Sequence, residues 1–250
     1  MRILRLTNSY DTDPAIAVEA NKATLCDQML TEAIGEPVET IARIIWPAPE
    51  LPDLIGKWLD RYQPDLVYLV VSSYWFTYVS APARVQRSFG PLGKPISQAG
   101  LKIAATPWLA HNAPFRLMRR ATLGVIGGTT WFTPEEVNES METCIRRILA
   151  HEGAALAVRG PRTPHSSVGS AKSIRWAEDR RQAVHFRTKE LCARLHIPYF
   201  GWDTAKAAQE DPDAYQGDMV HGTESTHKKL AEEEAELLLR AWHAAKLSSV

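Results

Sequence analysis

Leu66-Val67-Tyr68-Leu69-Val70-Val71 is a run of six residues without a charge, set between Pro64-Asp65 and Ser72-Ser73. A strand with apolar or aromatic side chains at every position has no face to offer to water. It belongs at the centre of a parallel sheet covered by helices on both sides. Parallel neighbours in turn need long crossover connections, usually helices. The rest of the chain supplies that alternation. Strand patterns at Arg2–Leu6, Val38–Ile45, Ala154–Val158 and Ile197–Phe200 are separated by helical patterns at Ala15–Ile34, Leu51–Tyr62, a segment starting at Thr133, Ile174–Leu195 and Thr223–Ala245. Gly35-Glu36-Pro37 stops the first helix. Thr133-Pro134-Glu135-Glu136 reads as a capping box with proline at the first helical position, and Val137, Met141, Ile145, Ile148 and Leu149 give that helix one apolar face. Leu230, Leu237, Leu238 and Trp242 do the same for the last helix. The expectation is one α/β domain, a three-layer α/β/α sandwich around a mostly parallel five-stranded sheet.

Composition narrows the function. Lys+Arg and Asp+Glu are equal at 29 each, so no global charge draws the chain to nucleic acid or to anionic membranes. No apolar run is long enough to span a bilayer, and the first strand begins without a signal-peptide pattern. Cys26, Cys144 and Cys192 are odd in number and far apart, as expected of reduced core thiols, so a cytoplasmic protein is expected. The histidines show no metal-ligand spacing, and neither a Gly-x-Gly-x-x-Gly nor a Walker motif is present. No metal and no cofactor are therefore expected.

Two short segments carry chemistry. Thr7-Asn8-Ser9 follows the first strand directly, and Asp218-Met219-Val220-His221 stands just ahead of the last helix. An aspartate three residues before a histidine can orient its imidazole as a general base, and a serine on a turn after a strand can be the nucleophile it activates. Taken singly, Ser9 reads equally as a turn or helix-capping serine, and Asp218 and His221 as a solvated loop.

The order of these blocks resembles that of the SGNH/GDSL hydrolases. Thr7-Asn8-Ser9 stands at the family's Gly-Asp-Ser, keeping the serine and changing both neighbours. Ser72-Ser73-Tyr74-Trp75 stands at its Gly-x-Asn-Asp. Asp218 and His221 match its last block, and Thr226-His227 resembles the start of the helix that follows. The resemblance covers nearly all of the chain apart from roughly 77–131. It implies a flavodoxin-like sheet and hydrolysis of a carboxylic ester through an acyl-enzyme on Ser9, with His221 as base and then acid and Asp218 orienting it. The substrate is then a small-molecule ester.

The family's oxyanion donors are replaced. No glycine lies between Gly35 and Gly56, and Pro47 and Pro49 have no N–H to give. Ala48 N–H and the hydroxyls of Ser73 and Tyr74 are the candidate substitutes. Two other readings stay open: a non-catalytic binding protein on the same fold, and an acyltransferase. Roughly 77–132 reads as an insertion beside the site, either a lid or acyl pocket built on Trp108, Leu109, Phe115, Leu117 and Met118 or a packing element. Arg116, Arg119, Arg120 and His165 are weaker candidates for substrate contact.

Overall fold

A computed structural model of the chain describes residues 1–13, 15–90, 129–162, 171–202 and 222–248. Strands β1 (Arg2–Thr7), β2 (Glu39–Ile44), β3 (Leu66–Val70), β4 (Ala155–Arg159) and β5 (Tyr199–Phe200) form one sheet, in the order β2-β1-β3-β4-β5. Every pairing among them is parallel. All five residues of β3 are buried, as its uncharged sequence demands.

Helices α1 (Lys22–Ile34), α2 (Leu51–Tyr62), α3 (Tyr74–Thr77), α4 (Ala81–Phe89), α5 (Pro134–Leu149), α6 (Ala171–Arg194) and α7 (Glu224–Ser248) complete the described elements. Two apolar clusters show the layering. Leu4, Leu6, Val67, Leu69 and Val158 meet side chains of α2, α5 and α6 on one face of the sheet. Ile3, Leu66, Tyr68, Val70 and Ala157 meet α1 and α7 on the other. The architecture is the expected three-layer α/β/α sandwich.

Local chemistry sets the boundaries. The α1 helix starts at Lys22 rather than near Ala15, because the Asn21 side chain accepts the Ala23 N–H at 3.0 Å and caps it there. Upstream, the chain forms two short 3-10 turns, Ser9–Thr12 and Val18–Ala20. The Thr133 capping box of α5 is complete, with Glu136 N to Thr133 Oγ1 at 3.1 Å and Thr133 N to Glu136 Oε2 at 2.6 Å. Leu149 departs from the expected apolar face: it is exposed, and Cys144 is buried in its stead. Trp242 is half-buried under the ammonium of Lys246 rather than inserted in the core. Strand β5 is only two residues long, since Pro198 before it has no N–H for a ladder, although its carbonyl accepts from Val158 N at 3.0 Å. No described helix is long and apolar enough to cross a membrane.

Candidate active site

From β1 the chain passes outward to β2 on one side and to β3, β4 and β5 on the other. The crevice at such a reversal, outside the carboxyl ends of the strands, is where open α/β sheets bind ligands. Here it lies beyond β1 and β3. The register identifies what stands there. Thr7 pairs with Ile44 and Leu6 with Leu69, so Ser9, Trp46 and Ser72 fall in one row just past the ends of β1, β2 and β3. The Asn8 amide donates to Ser72 Oγ at 3.5 Å and closes the row. Ser9 opens a 3-10 turn and is exposed at this edge.

Below the turn, on the α1/α7 face, lies a buried ion cluster. Arg5 Nε donates to Asp11 Oδ2 at 3.1 Å, and its Nη2 binds Glu234 of α7. Lys22 Nζ binds Asp11 and reaches Glu234 Oε1 at 2.8 Å. Arg159 binds Glu234 and, at 3.1 Å, the half-buried Glu233. Burial works against the carboxylates of Asp11 and Glu234. Lys22 and Arg5 beside both, with Arg159 beside Glu234, nevertheless hold them below the ordinary carboxylate range. The Asp11 side chain thus ties the Ser9 turn to both β1 and α1. His227 of α7 accepts the Lys22 N–H on Nδ1 at 3.2 Å, so its other ring nitrogen carries the proton. Burial and then the Lys22 charge lower the His227 pKa and keep the ring neutral. The start of α7, three residues past His221, is in this way joined to the serine turn.

On the α2/α5/α6 face, rings cluster past the ends of β2 and β3. Trp46 meets Tyr74 at 6.1 Å, Trp131 at 5.8 Å and Phe132 at 5.8 Å between centroids. Tyr74 stacks on Tyr78 at 4.6 Å. The other expected residues fall as follows. Ser73 is buried at the start of α3, and its neighbour Ser72 accepts from Asn8. Ala48 N donates to Trp46 O at 2.6 Å, within its own loop. Asp218, His221, Arg116, Arg119, Arg120, His165 and the apolar run Trp108–Met118 lie outside the described residues. Cys26, Cys144 and Cys192 are free and buried, their thiols pushed up to about 12 chiefly by desolvation. Among the described residues no group of three His, Cys, Asp or Glu side chains is arranged to hold a metal.

The ion cluster and the ring wall escaped the sequence reading. Arg5 and Arg159 did carry a signal, since each shares an inward strand face with an apolar neighbour, Ile3 and Ala157.

No family model and no curated protein sequence matches the chain. Solved structures do. A psychrotrophic esterase, EstA, from Pseudoalteromonas sp. superposes with a TM-score of 0.55 at 10% identity, covering 97% of this chain and 98% of that one. A family 3 carbohydrate esterase from Clostridium thermocellum gives 0.54 at 12% identity, with 98% of both chains covered. A protein described as a GDSL-like lipase, from Parabacteroides merdae, gives 0.55 at 12% identity, covering 95% of this chain and 94% of that one. At these identities the likeness is one of fold. Over nearly its whole length, this chain shares its three-layer architecture with these esterases and this lipase.

Proposed function

We propose that the protein hydrolyses a carboxylic ester through an acyl-enzyme on Ser9. The observation that carries this reading is the place of Ser9: exposed, on the turn after β1, at the switch point of a sheet shared with esterases. The Asp11 tether supports it, because an attacking hydroxyl must be held in place before it reacts. In this mechanism His221 removes the Ser9 proton as the oxygen attacks the ester carbonyl and returns it to the departing alcohol. Water then attacks the acyl-enzyme by the same route in reverse, and Asp218 fixes the imidazole. The short link from His221 to the helix whose first turns contact Lys22 supports this pairing. The developing oxyanion takes the Ser9 N–H and a hydroxyl from Ser73 or Tyr74.

Covalent labelling tests the nucleophile. A fluorophosphonate probe reacts with an activated serine and leaves an inert one untouched. Intact-mass spectrometry is expected to show one adduct on the wild type and none on Ser9→Ala. Labelling that persists in Ser9→Ala places the nucleophile elsewhere.

One observation favours a second reading, a binding protein on the same fold. The end of β2 offers no glycine N–H, and the Ala48 N–H is bonded to Trp46 O. Absence of any adduct on the wild type, together with saturable binding of an ester, would select this reading.

A further inference from the structure

The strands that carry Trp46 and Tyr74 are not neighbours. β1 lies between β2 and β3, so their ends stand two strand spacings apart, about 10 Å. The Trp46 and Tyr74 rings, 6.1 Å apart, thus bring together the ends of the two strands that flank β1, whose own end leads into Asn8 and Ser9. Trp131 and Phe132 approach Trp46 edge-on from the segment ahead of α5, at interplanar angles of 71° and 65°.

The assembly is held from behind. Phe132 N donates to Trp75 O at 3.0 Å. Arg180 of α6 donates to Phe76 O at 2.6 Å, to Thr130 Oγ1 at 3.0 Å and to Phe132 O at 3.1 Å. Two of the three chain segments that bear the rings, those of Tyr74 and of Trp131 and Phe132, are thus bolted to one helix. Trp46 nevertheless keeps 37% of its surface open, in the same row as Ser9. A large, fixed and partly open indole beside a site is costly to leave in water and well suited to a flat partner.

We infer that Trp46, backed by Tyr74, Trp131 and Phe132, forms a subsite for an aromatic ring carried by the ester, and that Trp46 sets the preference for it. This rests on Ser9 marking the reacting end of the substrate. A sugar ring could also stack on an indole, but its hydroxyls need hydrogen-bond partners close by, and leaving them unpaired is unfavourable. Among the described residues, the rings that meet Trp46 are Tyr74, Trp131 and Phe132, and Pro47 follows it in the chain. A linear alkyl chain would gain only area from this wall. An aromatic ring gains area and the edge-to-face or offset contacts that its quadrupole favours.

The test separates ring chemistry from hydrophobicity and binding from turnover. Ethyl phenylacetate and ethyl cyclohexylacetate are titrated calorimetrically into the Ser9→Ala protein, which binds without reacting. The cyclohexyl probe is the more hydrophobic, so simple burial favours it. An aromatic subsite reverses that order, and the phenyl probe is expected to bind about threefold to tenfold more tightly. Trp46→Leu in the same background should abolish the reversal, and Trp46→Phe should keep part of it. Equal or tighter binding of the cyclohexyl probe overturns the inference, as does a phenyl preference that survives Trp46→Leu. Tighter binding of xylose tetraacetate than of the phenyl probe also overturns it, in favour of a carbohydrate subsite. The two-probe comparison needs no Trp46 variant, so it stands even if one fails to fold. Failure of the hydrolase reading would show elsewhere, as no labelling and no turnover in the wild type, with this binding ratio intact.

Discussion

Glu234 is the residue on which the largest number of charges depends. It is 1% exposed and contacts Arg5, Lys22 and Arg159. Removing its charge leaves three buried cations, of which Arg5 and Lys22 still contact Asp11 and Arg159 still contacts Glu233. Breaking a buried pair in this way costs about 3–5 kcal/mol. Urea unfolding at pH 7 is expected to show Glu234→Gln less stable by that order. The pH dependence has a fixed sign. The pKa values of Asp11 and Glu234 are depressed in the folded protein, so the stability they confer is present above the ordinary carboxylate range and is lost as pH falls through and below it. The wild type should therefore lose stability progressively below about pH 5, and Glu234→Gln should lose less over that interval. Parallel stability curves for the two proteins would show that the cluster does not govern acid unfolding. At Tyr74 and Ser73 the expectation concerns rate. If either hydroxyl holds the oxyanion, Tyr74→Phe or Ser73→Ala lowers kcat by about tenfold to a few hundredfold and leaves KM nearly unchanged. An effect confined to KM would assign the residue to substrate binding.

Among the elements, two helix caps allow a comparison. Asn21 caps α1 and Thr133 caps α5, and replacing either with alanine removes about 1 kcal/mol. Their functional consequences should differ. The first residue of α1 is Lys22, which holds Asp11 under the Ser9 turn, whereas α5 carries no residue of the ion cluster. Asn21→Ala is expected to slow fluorophosphonate labelling of Ser9, and Thr133→Ala, at similar stability, is not. Equal labelling rates would argue that the turn keeps its geometry without Lys22. The Thr133 cap was legible in the sequence because its whole signal lies within four residues. The true start of α1 was not, because apolar residues at Ala15, Ile16 and Val18 continue the helical pattern upstream of Asn21. The sequence pattern of β5 runs over Ile197–Phe200, yet only its last two residues pair as strand, since Pro198 interrupts the ladder. The helices α3 and α4 went unforeseen, lying in a stretch where Pro82 and neighbouring aromatic residues obscure any period.

At the scale of the whole molecule, the sheet and its layers were legible because parallel strands buried on both faces leave a compositional mark that tolerates no charge at the centre. Of the candidate site, the sequence offered Ser9, Ser73 and Tyr74 singly, without the contacts that join the strand ends. Ser72 meets Asn8 and Trp46 meets Tyr74 through the strand order, and that order is set by packing among segments far apart in the chain. The ion cluster is hidden for the same reason: Glu234 stands 229 residues after Arg5. That separation has a consequence for synthesis on the ribosome. Arg5, Asp11, Lys22 and Arg159 leave the exit tunnel long before their shared carboxylate is translated. An emerging chain can lay down β1, β3 and β4 side by side, yet it has to keep two guanidinium groups and an ammonium wet until α7 arrives. Domain closure should then be a late, single event. Ribosome-stalled chains ending near residue 220 are expected to remain open to limited proteolysis over Met1–Arg159, and chains extended past Trp242 by a linker that clears the tunnel to become resistant. Protection that already exists in the shorter chains would mean that water, rather than Glu234, is enough to accompany those cations into the core.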